Sequence, residues 1–100
     1  MTQAQYRFIR CILQNSESFT ANSVPKKGVF AVMSRTGAAT YIPIGTVDGA
    51  NRPIWGIFVP HDDTTFVTDP IVWDGLNLTI LRVVRRRWRG SVLYRLLIAH

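Results

Sequence analysis

Lysine, glutamate and cysteine are scarce in this chain of 100 residues. Ten arginines stand against only two lysines, Lys26 and Lys27, and five aspartates stand against the single glutamate, Glu17. Lysine and glutamate are common on surfaces that face only water, whereas arginine and aromatic residues are enriched in protein interfaces. Codon usage that favours arginine would produce the same bias. We interpret the composition as that of a chain with a large contact surface.

A second cysteine and a long apolar run are both missing. Cys11 is alone, which excludes an internal disulfide, and its apolar neighbours predict that it packs in a core. Residues 1–5 are too polar for the beginning of a signal peptide. No apolar run approaches the ~18–20 residues of a membrane-spanning helix. We therefore expect an intracellular or virion location and no membrane partner.

Residues typical of catalytic and metal sites are also few. His61, Asp62 and Asp63 form the only cluster of metal-ligand types. Adjacent residues of an extended chain point in opposite directions, so these three would converge only if the loop folded back. The chain has no phosphate-binding glycine loop, no zinc-binding cysteine pair and no nucleophile motif. We predict that it is not an enzyme and that it needs no metal, cofactor or small-molecule substrate.

What the chain does contain is a series of short segments rich in β-branched and aromatic residues, separated by turn signals. Hydrophobic residues make up 47% of the chain, which is enough for one core. We predict a single all-β domain over residues 1–100, either a small sandwich or a partly open barrel of six to eight short antiparallel strands. The candidate strands are residues 29–33, 40–47, 54–59, 64–68, 71–73, 76–84 and 91–99.

The last two candidate strands alternate between apolar and polar residues. This alternation predicts that Leu78, Ile80, Leu96 and Ile98 share one buried face. Asp74 and the glycine after it form a turn signal before the first of these strands.

Residues 5–14 fit two structures. Phe8 and Ile9 lie at helical spacing with the apolar residues one turn later, and Thr2 with Gln5 would form a capping box for a helix. The same segment is rich in residues that suit a strand, and its surroundings are β. We favour the strand, with a short N-terminal helix as the alternative.

Residues 40–47 contain a proline, which cannot donate a hydrogen bond to a neighbouring strand and so indicates an edge strand or a bulge. The unpaired backbone of an edge strand needs a cover. We therefore expect a neighbouring subunit or another partner to contact Tyr41, Ile42, Pro43 and Ile44.

Positive charge is concentrated near the end of the chain. Residues 75–100 contain six arginines and no acid, so their charge equals the net charge of +6 of the whole chain. Five of these arginines surround a tryptophan, and we call the group the arginine strip: Arg82, Arg85, Arg86, Arg87, Trp88 and Arg89. Residues 85–90 lie between two candidate strands, so we predict that they form a projecting hairpin loop. Such a loop is typical of a contact with an anionic or aromatic partner.

Two functions fit the arginine strip best. One is a structural subunit of a homo- or hetero-oligomeric assembly, with a virion or phage accessory (cement-like) protein as the leading form. The other is a small nucleic-acid-binding barrel, whose arginines neutralise phosphates while Trp88 stacks on a base. An inhibitor or adaptor for an acidic protein is a third hypothesis. Most other aromatic residues lie in apolar strands, so a stacking surface would be small, and we favour the assembly subunit.

Overall fold

The computed structural model describes residues 2–43, 45 and 53–100. The described strands form one seven-stranded antiparallel sheet with the order β5-β4-β1-β2-β3-β7-β6. No described helix is both long and apolar enough to cross a membrane. The elements are α1 (Gln3–Asn15), β1 (Glu17–Ala21), β2 (Val24–Val32), α2 (Arg35–Ala39), β3 (Trp55–Pro60), β4 (Ile71–Trp73), β5 (Leu76–Leu78), β6 (Ile80–Trp88) and β7 (Ser91–Ala99).

The two ends of this sheet are neighbours in the sequence. Strands β5 and β6 are separated only by Thr79, which exchanges two backbone hydrogen bonds with His100 at 2.8 and 3.1 Å. Because one extended segment pairs with β4 at its start and with β7 further on, the sheet curls back on itself. The prediction of an all-β, partly open barrel is confirmed.

Three hairpins of the sheet close through two-residue turns in which both residues have positive φ. This backbone is that of a type I′ turn, whose twist matches the right-handed twist of paired strands. The predicted turn at Asp74 is one of the three. The pairs are Asn22 and Ser23, Asp74 and Gly75, and Arg89 and Gly90.

The curl creates two hydrophobic clusters, one on each face of the sheet. The concave cluster lies inside the half-barrel, and the convex cluster lies where α2 and the segment after it cover β3 and β7. The concave cluster contains Phe19, Ala21, Ile57, Val59, Ile71, Leu78, Ile80, Leu97 and Ala99. The convex cluster contains Ala38, Ile42, Ile54, Leu96 and Ile98.

The prediction that Leu78 and Ile80 share one face with Leu96 and Ile98 is wrong. Leu78 and Ile80 belong to the concave cluster, and Leu96 and Ile98 belong to the convex one. The end of β7 is buried on both faces, so alternation alone could not assign its sides. A bulge between Ile80 and Arg82 also shifts the pairing of β6 by one residue.

The N-terminal segment is a helix, and our preference for a strand was wrong. The capping box is present, because Thr2 Oγ1 accepts a hydrogen bond from the Gln5 backbone at 3.1 Å and Gln5 Oε1 accepts one from Thr2 at 2.9 Å. The Gln5 side chain also donates to the carbonyl of Val92 at 2.6 Å, and Phe8 stacks on Tyr94 with centroids 4.4 Å apart. These contacts fix α1 on the convex face. Cys11 is exposed on α1, so its predicted place in the core is also wrong.

The predicted edge strand at Tyr41, Ile42 and Pro43 is wrong as well. Ser34 caps α2, and the backbone amides of Tyr41 and Ile42 both donate to the carbonyl of Ala38 at 3.0 Å, which makes a turn after this helix. The side chain of Ile42 is buried in the convex cluster. Ile44 lies outside the described residues.

The close approach of β2 and β3 depends on Gly28. A Cβ atom at this position would lie 3.0 Å from Ile57 Cγ2 and 3.0 Å from the carbonyl oxygen of Phe58. We expect Gly28→Ala to lower the free energy of unfolding by about 1–3 kcal/mol in urea denaturation, because overpacking forces the strands apart. The control is Lys27→Ala, at the exposed neighbouring position. Equal midpoints for the two variants would contradict the tight approach.

Candidate contact surface on the arginine strip

The arginine strip lies on a strand and not on a loop, which corrects the prediction for residues 85–90. Strand β6 continues to Trp88, and only Arg89 and Gly90 form the turn into β7. Arg85 pairs with Arg95 in the ladder. Strand β6 is the last in the sheet order, so no described strand pairs with its other side.

Alternation along β6 divides the strip between the two faces of the sheet. Arg86 and Trp88 lie on the convex side, where α1 packs, and Arg85 and Arg87 lie on the opposite side. Trp88 is 57% exposed, and the guanidinium of Arg89 lies 5.7 Å from its ring centroid. The strip therefore offers two different surfaces to a partner.

On the convex side Trp88 forms one wall of a cleft of about 400 Å³. The other wall is the beginning of α1, whose second turn contributes Arg7. We call this the tryptophan cleft, and its residues are Thr2, Gln3, Ala4, Arg7, Trp88, Arg89 and Ser91. An aromatic ring that shares a cleft with arginine guanidinium groups can hold a carboxylate, a phosphate or a flat π system.

The structure adds to this surface one residue that was not predicted from the sequence, Arg7, and it gives the predicted residue Arg82 a structural contact. Arg7 belongs to the cleft because α1 is a helix that starts beside Ser91, and the helical spacing in residues 5–14 was the available signal. Arg82 has a structural role, since its Nη1 donates a hydrogen bond to the carbonyl of Tyr41 and so ties β6 to the turn after α2.

On the opposite face Arg85 and Arg95 line a cavity of about 280 Å³, which we call the Arg95 cavity. Arg95 is only 5% exposed, and its Nη2 donates to the carbonyl of Thr65 at 2.9 Å. Burial lowers the pKa of Arg95, the negative charge of Asp63 opposes this change, and the positive charge of Arg85 adds to it. The cavity thus holds two like charges close together.

We expect this like-charge pair to cost stability. Arg85 lies directly opposite Arg95 in the ladder, and like charges at such positions destabilise a sheet. Replacing Arg85 by glutamine should therefore raise the thermal midpoint slightly. Arg87→Gln removes the same charge from a position that pairs with Val92 and should have a smaller effect. A thermal midpoint that falls in Arg85→Gln and not in Arg87→Gln would contradict the repulsion between Arg85 and Arg95.

Comparison of the chain with protein-family models, with curated proteins and with solved structures finds no match. Within the described residues no three histidine, cysteine, aspartate or glutamate side chains come together in a way that could hold a metal ion. The arginine strip, the tryptophan cleft and the Arg95 cavity are the features that bear on function.

Proposed function

We propose that this chain is a non-enzymatic structural subunit of a larger protein assembly, which it joins through the convex side of the arginine strip. Its leading form is an accessory or cement-like protein of a virion or phage particle. The partner surface is acidic and has a recess for Trp88, and it belongs to a second copy of this chain or to another subunit.

The exposure of Trp88, which Arg87 and Arg89 flank in the sequence, is the observation that carries this proposal. Tryptophan and arginine are the residues most enriched among those that dominate binding energy in protein interfaces. The backbone at Trp88 is fixed by a strand and a two-residue turn, so only side-chain freedom is lost when a partner covers it. The scarcity of lysine and glutamate supports the same interpretation.

The arginines of β6 favour contact through side chains over the addition of a further strand. Charged residues and bulges are the features by which natural sheets prevent their edges from pairing. Strand β6 has both, since its register with β7 shifts between Ile80 and Arg82 and again between Arg86 and Arg87. We therefore expect the partner to bind over the strip and the cleft.

Single-stranded nucleic acid is the second candidate partner, and the tryptophan cleft is the observation that favours it. Trp88 lines this cleft together with Arg7 and Arg89, which would allow one base to stack while two phosphates are neutralised. The leading proposal is preferred because a nonspecific strand binder needs several stacked bases. Among the described residues, Trp88 is the only aromatic one that lines this cleft.

The mass of the purified chain in solution tests the leading proposal. We expect sedimentation to give a multiple of 11.3 kDa, the mass of one chain, at micromolar concentration and physiological salt. A soluble monomer over the whole concentration range would exclude a second copy of this chain as the partner and would count against the assembly proposal.

Titration with a short single-stranded oligonucleotide tests the second candidate. Tight, saturable binding near physiological salt would favour nucleic acid. Joint replacement of Arg85, Arg86 and Arg87 by alanine should then lower the slope of log affinity against log salt by up to about 2–3 units.

A further inference from the structure

The Arg95 cavity has a concentration of buried polar atoms without hydrogen-bond partners. Arg95 Nε and His61 Nδ1 are such atoms, and both residues line the cavity. Thr65 Oγ1 is a third, and its residue is joined to Arg95 through the backbone carbonyl. Native structures leave few buried polar groups unsatisfied, because each costs free energy. Two such atoms in the lining of one cavity, with a third on an adjoining residue, indicate a polar ligand.

The charges around the cavity define the sign of that ligand. Asp63 also lines it, but Asp63 Oδ2 lies 3.3 Å from Lys26 Nζ and its Oδ1 accepts a hydrogen bond from Thr65 N at 2.8 Å. Neither Arg85 nor Arg95 forms an ion pair with a carboxylate of the described residues. With Asp63 neutralised by Lys26, two guanidinium charges remain, and they favour an anion.

We infer that the Arg95 cavity is an oxyanion-binding site, which takes one phosphate or carboxylate group between the guanidinium groups of Arg85 and Arg95. Guanidinium donors match the geometry of both oxyanions, and their charge-assisted hydrogen bonds are stronger than neutral ones. His61 Nδ1 can donate a further hydrogen bond in one of its tautomers.

The anion would relieve the two costs that the cavity carries. It would accept a hydrogen bond from Arg95 Nε, and it would separate two like charges that face each other in the ladder. Of the two arginines, Arg95 is the buried anchor and Arg85 is exposed, so the anion can enter past Arg85. This inference goes beyond the proposed function and does not depend on it, because the tryptophan cleft is on the other face of the sheet.

The experiment is a titration of the full chain with inorganic phosphate and, separately, with acetate at constant ionic strength, followed through the side-chain Nε–H resonances of arginine by NMR. We expect a saturable shift of the Arg95 resonance with at least one of the two anions, and the tighter of the two identifies the group. Arg85→Gln should weaken this binding about tenfold, which corresponds to the loss of one charge-assisted hydrogen bond.

The matched control is Arg87→Gln, which removes the same charge from the same strand but does not line the cavity. It should weaken the binding by less than twofold. Arg95→Lys keeps the charge, loses the Nε donor and should abolish saturable binding, which in this variant is followed through the Nε–H resonance of Arg85. If Arg95→Lys does not fold, the comparison of Arg85→Gln with Arg87→Gln still tests the inference. Two results would overturn the inference: a shift of the Arg95 resonance that does not saturate with either anion, or equal weakening of anion binding by Arg85→Gln and Arg87→Gln. The cavity would then hold adventitious ions and water only.

Discussion

Leu97→Ala and Leu96→Ala should each lower the free energy of unfolding by about 2–5 kcal/mol, which is a large part of the stability of a small domain. Leu97 is fully buried in the concave cluster, opposite Ile57 of β3. Leu96 is buried in the convex cluster, opposite Phe58 of the same strand. Truncation leaves a cavity in either place, because both faces of β7 are covered. Urea denaturation followed by tryptophan fluorescence measures both effects.

Leu76→Ala is the control for these two variants. Leu76 lies in β5 at the edge of the sheet and is 47% exposed, so the same truncation should change the stability by no more than about 0.5 kcal/mol. If Leu96→Ala had the midpoint of the parent while Leu97→Ala did not, β7 would be buried on one face only. The arrangement of two clusters would then be wrong.

Trp88→Ala should raise the dissociation constant of the assembly by about 30-fold or more, since truncating an anchor of this kind costs about 2 kcal/mol or more. The chain itself should keep its stability within about 0.5 kcal/mol, because Trp88 is 57% exposed and supports little of the core. Sedimentation over a range of concentrations gives the dissociation constant. Thermal denaturation of the same samples separates a lost contact from a lost fold.

Phe66→Ala is the matched control for Trp88→Ala. Phe66 is an aromatic residue of similar exposure, 60%, and lies outside the tryptophan cleft. It should leave the assembly unchanged. Equal loss of assembly in both variants would indicate a general effect of exposed aromatic surface. An unchanged dissociation constant in Trp88→Ala would contradict the proposal that the arginine strip binds the partner through Trp88.

Local patterns in the sequence determined the fold class and several elements. Short runs of β-branched and aromatic residues predicted the strands around Phe30, Ile57 and Val72, and the turn signal at Asp74 closes a hairpin as expected. Composition located the charge and Trp88 correctly, because a residue's type and its place in the chain are known without any tertiary contact. Strand-forming runs, tight turns and the position of charged residues depend only on residues that are close together in the sequence.

Elements with mixed local signals were decided by tertiary contacts. Residues 5–14 suit a strand or a helix by their types, and the helix forms where Gln5 bonds to Val92 and Phe8 stacks on Tyr94, contacts that span more than 80 residues of sequence. The turn after α2 likewise exists because Ile42 has a place in the convex cluster. Propensity describes only the chain near a residue and carries no information about such distant partners.

The candidate sites also depend partly on local sequence and partly on tertiary contacts. The sequence determined by itself that Arg82, Arg85 and Trp88 belong to one basic segment, but pairing with β7 decided that this segment is a strand with two faces. Because successive side chains of a strand point to opposite sides, Trp88 joins Arg7 on one face while Arg85 joins the buried Arg95 on the other. Which charges meet therefore depends on strand register, which is a property of the folded sheet and not of any single segment.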